Sequence, residues 1–173
     1  MKTPVEFLAE FPEPMLVIGG QAVRVLGYAR QTSDWDFMIA VENAVAVKRI
    51  IEAQGYKEVL RTSSFLKFQA DDKARGDLDV MTVDARTFAK ISAGSSEACI
   101  DGVAVRVPSI AHLIALKLHA IKNNFFRELQ DMTDIVELLN AHPDVMSDDD
   151  LRSTCDRYAP RGLFEKIQYF RHR

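Results

Sequence analysis

A chain of 173 residues is long enough for one domain with its own core, or for one domain with a helical extension. Its formal charge of -3 argues against a protein that coats nucleic acid, because neutralising phosphates leaves a domain-wide basic excess. Cys99 and Cys155 sit in no CxxC pair, which argues against a zinc or disulfide framework, and no apolar run approaches the roughly 20 residues of a membrane span.

The opening Met1-Lys2-Thr3-Pro4-Val5-Glu6 has no basic flank leading into an apolar run, so a cytoplasmic protein is expected. Met15-Leu16-Val17-Ile18, bounded by Pro14 and by Gly19-Gly20, reads as a short buried strand. Gln21 to Tyr28 places Ala22, Val25 and Leu26 at helical spacing, so the glycine pair stands at a strand-to-helix junction. Trp35 to Val41 reads as a strand and Ala44 to Gln54 as a helix that Gly55 stops. Strands follow at Tyr56–Leu60, Phe65–Ala70 and Leu78–Val83, then a helix from Ala85 to Ser92. Asp101-Gly102 between Ala98–Ile100 and Val103–Val107 is the signature of a two-residue hairpin.

From Pro108 the periodicity becomes helical. Ser109 can cap a helix carrying Ile110, Leu113, Ile114, Leu118 and Ile121 on one face, and Leu129 to Leu139 repeats the pattern. Ser147 with Asp150 is a capping-box pair opening a helix that Pro160-Arg161-Gly162 ends, and a last helix runs from Leu163 towards His172. The expected fold class is α/β (α+β): a mixed β-sheet flanked by helices over residues 1–107, and a helical part packed on that core over residues 108–173.

Asp34 and Asp36 lie two apart across Trp35, so on a strand their carboxylates share one face while Trp35 and Phe37 enter the core. Asp79 is a single acid in the apolar run Leu78–Val83, and pairing of the two strands would bring it beside the first two. Three clustered carboxylates repel one another unless a divalent ion is bound, and Mg²⁺ takes such hard oxygens while keeping positions for water and phosphate. An Asp-x-Asp alone also fits an exposed turn, and Gly19-Gly20 alone also fits a tight turn; bare N–H groups at a helix start can equally accept a phosphate.

Lys117 falls in the middle of its helix's apolar face, where it reaches a phosphate, snorkels to solvent, or pairs with Asp131 or Asp134 of the next helix. Arg30 either contacts phosphate or pairs with Asp77. Arg75 of the basic Lys73-Ala74-Arg75 loop is expected to be solvated. His112 and His119 form no zinc set, and His142 and His172 are expected at the surface.

The whole arrangement is Gly19-Gly20-Gln21-Ala22, Gly27, Arg30, Thr32, Ser33-Asp34-Trp35-Asp36-Phe37 and Gly76-Asp77-Leu78-Asp79-Val80. It resembles the nucleotidyltransferase superfamily typified by DNA polymerase beta, and within it the AbiEii-like minimal prokaryotic nucleotidyltransferases, whose Gly-x-x-Arg-x-Thr-x-Asp-x-Asp pattern Gly27, Arg30, Thr32, Asp34 and Asp36 match. The resemblance extends to about residue 140, with Gln130 where that family often has lysine.

That resemblance implies a catalytic, metal-binding set of Asp34, Asp36 and Asp79 with two Mg²⁺ ions, Mn²⁺ being an alternative. It implies nucleotide contacts from Gly19, Gly20, Arg30, Thr32, Ser33 and Lys117. The implied partners are a nucleoside triphosphate, an acceptor hydroxyl on a protein, an RNA end or a small molecule, and a second copy or an antitoxin-like partner in a toxin-antitoxin pair. A catalytically silent module of the same fold is the alternative, and a nucleotide-sugar transferase using the Asp-x-Asp pair is the other.

Overall fold

The computed structural model describes residues 2–172 and divides them into two units. One runs to Val25 and resumes over Arg30–Ser109; the other joins Leu26–Ala29 to the chain from Ile110 onward. The short Leu26–Ala29 excursion has no counterpart in the sequence reading.

The first unit opens with helix α1 (Pro4–Leu8), which was not expected. Its signal was present: Thr3 precedes Pro4, and Glu6 accepts hydrogen bonds from the Thr3 backbone N–H at 2.6 Å and the Thr3 hydroxyl at 3.0 Å. Strand β1 is only Leu16–Val17, and helix α2 (Gly19–Val25) begins two residues earlier and ends three earlier than the periodicity suggests. Then come β2 (Trp35–Ala40), α3 (Ala44–Ala53), β3 (Tyr56–Arg61), β4 (Phe65–Ala70), β5 (Leu78–Val83) and α4 (Ala85–Ala93). These follow the sequence reading to within a residue, because each is a short apolar run closed by a turn residue.

The five strands form one sheet in the order β1-β2-β5-β4-β3. Only the β2–β5 pair is parallel, so the sheet is mixed. Strands β6 (Ser96–Ile100) and β7 (Val103–Val107) make a separate hairpin, turned by Asp101 at φ 51° and Gly102 at φ 83°, the paired positive dihedrals of a tight primed turn. Trp35 and Phe37 are buried from one side of β2, as alternation requires, but Met38 on the other side is fully buried too. Beyond Asp36 the strand is therefore covered on both faces, which confines the polar side chains to its first residues.

The second unit contains α5 (Ile110–Asn123), α6 (Glu128–Ala141), α7 (Asp148–Tyr158) and α8 (Leu163–Arg171). Ser147 caps α7 by accepting from the Asp150 N–H at 3.1 Å. Its core is made by Leu113, Ile114, Leu118, Ile135, Leu138, Leu139, Leu151 and Ile167, each at most 1% exposed. His142, expected at the surface, instead donates from Nε2 to the Leu26 carbonyl at 2.6 Å. That bond ties the Leu26–Ala29 segment to α6.

Candidate functional site

The parallel pairing of β2 with β5 sets Asp36 directly opposite Asp79. Opposite residues on paired strands project to the same face, so the register by itself places the two carboxylates side by side. Asp34 lies just before β2 and is exposed, with Ser33 Oγ donating to its Oδ1 at 3.1 Å. The loop carrying it is held from below. Trp35 N–H donates to the Asp77 carbonyl at 2.9 Å, and Gly76, at φ 74°, lets the loop before β5 lie against the Ser33 carbonyl, where a Cβ would collide.

The glycine pair is placed by the same logic. Gly19 has φ 60°, and a Cβ there would fall on the Asp36 carboxylate. A Cβ on Gly20 would come within 2.7 Å of Thr32 Oγ1 and 2.9 Å of Arg30 Nη2. Each glycine thus admits a neighbour rather than merely turning the chain: Asp36 at the first helical residue, Thr32 and Arg30 at the second. The Ile18 N–H donates to the Asp36 carbonyl at 2.9 Å and locks this junction to the acidic strand. The structure therefore gathers Gly19, Gly20, Arg30, Thr32, Asp36 and Asp79 into one neighbourhood of the first unit.

The electrostatics of the pair are unbalanced. Burial, followed by the negative charge of Asp36, pushes the Asp79 carboxyl up to about 6, against a partial lowering by Lys67. Asp79 Oδ1 is buried and accepts no hydrogen bond. Among the described residues no three acidic, thiol or imidazole groups are arranged to hold a metal ion as they stand. Asp36 and Asp79 form the paired part of the expected carboxylate set, while Asp34 precedes the strand, exposed, with its charge still adding to the rise at Asp79. The pair nevertheless fits a hard divalent cation: two adjacent carboxylates, one with an unsatisfied buried oxygen, are the donor chemistry Mg²⁺ takes.

A pH dependence follows. With a folded-state value near 6 against the usual 3.8, Asp79 holds a proton that the unfolded chain has already lost, so its contribution is present at about pH 4 and disappears as the pH rises through 6. Without divalent ions, the protein is expected to lose up to about 3 kcal/mol at this position between pH 4 and 7. Thermal melts across that range should show the loss in the parent chain and not in Asp79→Asn. Equal slopes for the two would remove the assignment.

Lys67, not singled out from sequence, lies opposite Asp79 on β4, with Nζ 4.0 Å from Asp79 Oδ1 and 3.2 Å from Asp77 Oδ2. Its signal was alternation: Leu66 and Phe68 are buried, so Lys67 must face the other side of the sheet. Asp77, weighed as a partner of Arg30, also accepts from Gln69 Nε2 at 3.2 Å. Arg75 is not the solvated residue expected. Its guanidinium lies over the Tyr56 ring at 4.5 Å and Nη1 donates to the Gln54 carbonyl at 2.7 Å.

In the second unit, Lys117 is 4% exposed and donates to Asp131 Oδ1 at 2.8 Å and Asp134 Oδ2 at 2.6 Å. Of the roles open to it in sequence, the pairing with both acids of α6 is the one formed. Arg127 Nε adds a bond to the other Asp131 oxygen at 2.9 Å.

No family model matches the sequence, and no curated protein matches it significantly. Solved structures do match. The antibiotic-resistance factor ANT(2'')-Ia is 14% identical over 97% of this chain and 92% of its own, with a TM-score of 0.69. The lincosamide antibiotic adenylyltransferase LnuA, bound to lincomycin, is 16% identical over 78% of this chain and 90% of its own, with a TM-score of 0.59. The Megavirus polyadenylate synthase is 16% identical over 83% of this chain but 32% of its own, with a TM-score of 0.57. The expected mixed sheet with flanking helices, the Asp36–Asp79 register and these likenesses agree: the chain has the nucleotidyltransferase fold.

Proposed function

We propose that this chain is a Mg²⁺-dependent nucleotidyltransferase that moves a nucleoside monophosphate from a nucleoside triphosphate to an acceptor hydroxyl. The observation that carries the reading is the Asp36–Asp79 pair, packed at the start of α2 with a buried, unsatisfied carboxylate oxygen.

Asp34, Asp36 and Asp79 would hold the ion, or the two ions that the resemblance implies. Bound Mg²⁺ supplies charge neutralisation for the triphosphate and lowers the pKa of a coordinated hydroxyl. The residues themselves do the rest. The backbone N–H groups of Gly19 and Gly20 at the helix start would meet the phosphates, and Arg30, Thr32 and Ser33 offer a guanidinium and two hydroxyls beside them. Asp79 would hold the ion beside which the acceptor hydroxyl gives up its proton to water. The freed oxygen forms its bond to the α-phosphorus as the bond to the β-phosphate oxygen breaks, and pyrophosphate leaves. Lys117 serves the helical unit as the counter-ion of Asp131 and Asp134.

Two of the similar structures are proteins of comparable length, one a resistance factor and one an adenylyltransferase, and both names refer to antibiotics. That favours a small hydroxylated molecule as the acceptor. The AbiEii-like branch rests on the Gly27-to-Asp36 motif and on the likeness of the Leu113–Leu118 helix, Arg127 and Asp131-Met132-Thr133-Asp134 to that family's helical half, and a toxin-antitoxin setting rests on that resemblance. A second copy or an antitoxin-like partner would find apolar surface at Phe125, Phe126 and Leu129, which are 73%, 97% and 76% exposed.

Calorimetric titration with non-hydrolysable nucleoside triphosphates, with and without Mg²⁺, tests the reading. Binding that needs the ion and vanishes in Asp34→Ala/Asp36→Ala is the expected result. Failure of every triphosphate to bind would favour the silent module.

A further inference from the structure

Across three neighbouring strands the sheet presents one row of charges. Asp36 on β2 stands opposite Asp79 on β5, and Asp79 stands opposite Lys67 on β4. Leu66 and Phe68 are 2% and 0% exposed, so alternation turns Lys67 onto the face that Asp79 occupies.

The ammonium is shared unevenly. It stands 3.2 Å from Asp77 Oδ2, a direct ion pair, and 4.0 Å from Asp79 Oδ1, an oxygen that receives no hydrogen bond. Lys67 is about one-third exposed, so it is free to move towards water or a phosphate. A cation in this position screens Asp79 from the charge of Asp36 without bonding to it, and it already has a second seat on Asp77.

We propose that Lys67 is the resident counter-cation of Asp79 and competes with the divalent ion for it. The inference rests on the proposed nucleotidyl-transfer reading and adds a residue from a strand outside the acidic motifs. When a divalent ion occupies the pair, Lys67 yields Asp79 and stays on Asp77. Its charge close to the ion lowers the site's affinity, so that a divalent ion is retained mainly when triphosphate oxygens add to its ligands. Lys67 is a positioning residue in this account.

The test is titration of the full, nucleotide-free chain with Mn²⁺, reading free ion by electron paramagnetic resonance. Lys67→Met should bind Mn²⁺ about threefold to tenfold more tightly than the parent, from loss of a like charge a few ångströms away in a partly solvated site. Lys67→Arg should match the parent. A role limited to packing would leave the Mn²⁺ affinity unmoved. Lys67→Gln carries the same expectation should the methionine variant misfold by circular dichroism. Unchanged or weaker Mn²⁺ binding in a folded Lys67→Met or Lys67→Gln overturns the inference alone. Equal Mn²⁺ affinity in the parent and in Asp36→Asn and Asp79→Asn overturns it together with the reading beneath it.

Discussion

Asp36→Asn is expected to lower nucleotidyl transfer by about a thousandfold or more while leaving the melting temperature of the metal-free protein unchanged or slightly raised. Asparagine keeps nearly the shape that fits against Gly19 and removes the negative charge. A ligand to a divalent ion that neutralises a triphosphate is worth at least as much as one preorganised donor at a developing charge, which typically costs about 10²–10³ in rate. Stability moves the other way, because the Asp36 charge is the second-largest cause of the raised Asp79 value and its removal relieves that repulsion. Pyrophosphate release measured beside a thermal melt checks both halves. A rate within tenfold of the parent would mean that the acidic pair does not perform the chemistry.

Lys117→Met is expected to have the largest effect on stability, a loss of about 3–5 kcal/mol, because it leaves two carboxylates buried without their ammonium. Asp131 and Asp134 are 1% and 0% exposed, and Arg127 Nε bonds the Asp131 oxygen that Lys117 does not. The loss should be confined to the helical unit, appearing as faster hydrogen exchange in α5 and α6. Lys117→Met/Asp134→Leu should recover a large part of it, since exchanging a buried pair for apolar groups of similar volume is often neutral, whereas removing one partner is not. Guanidinium unfolding of both variants is the measurement. A cost below about 1 kcal/mol for the single variant would show that water already reaches the cluster.

Most of the secondary structure was legible because it depends on neighbours in the chain. β4 and β5 are bounded as their apolar runs predict, and the hairpin turn at Asp101-Gly102 follows from two residues tolerant of positive φ. α1 was legible in principle through Thr3, Pro4 and Glu6, but it is only five residues long and carries no periodicity to draw attention to it.

The sequence by itself determined which residues carry charge on otherwise apolar strands, Asp36 and Asp79, and which glycines stand at the strand-to-helix junction, because composition and alternation are local properties. Only the tertiary structure decided what those residues meet. The parallel register between strands 43 residues apart, 36 to 79 by number, sets Asp36 opposite Asp79, and the antiparallel register of β4 brings Lys67 into the same row. The same is true of His142 on Leu26, Arg75 on Tyr56, and Lys117 between two aspartates. Each of these is a contact between segments whose separation in the chain carries no spacing rule. It forms because a buried polar group must find a partner wherever packing happens to place one.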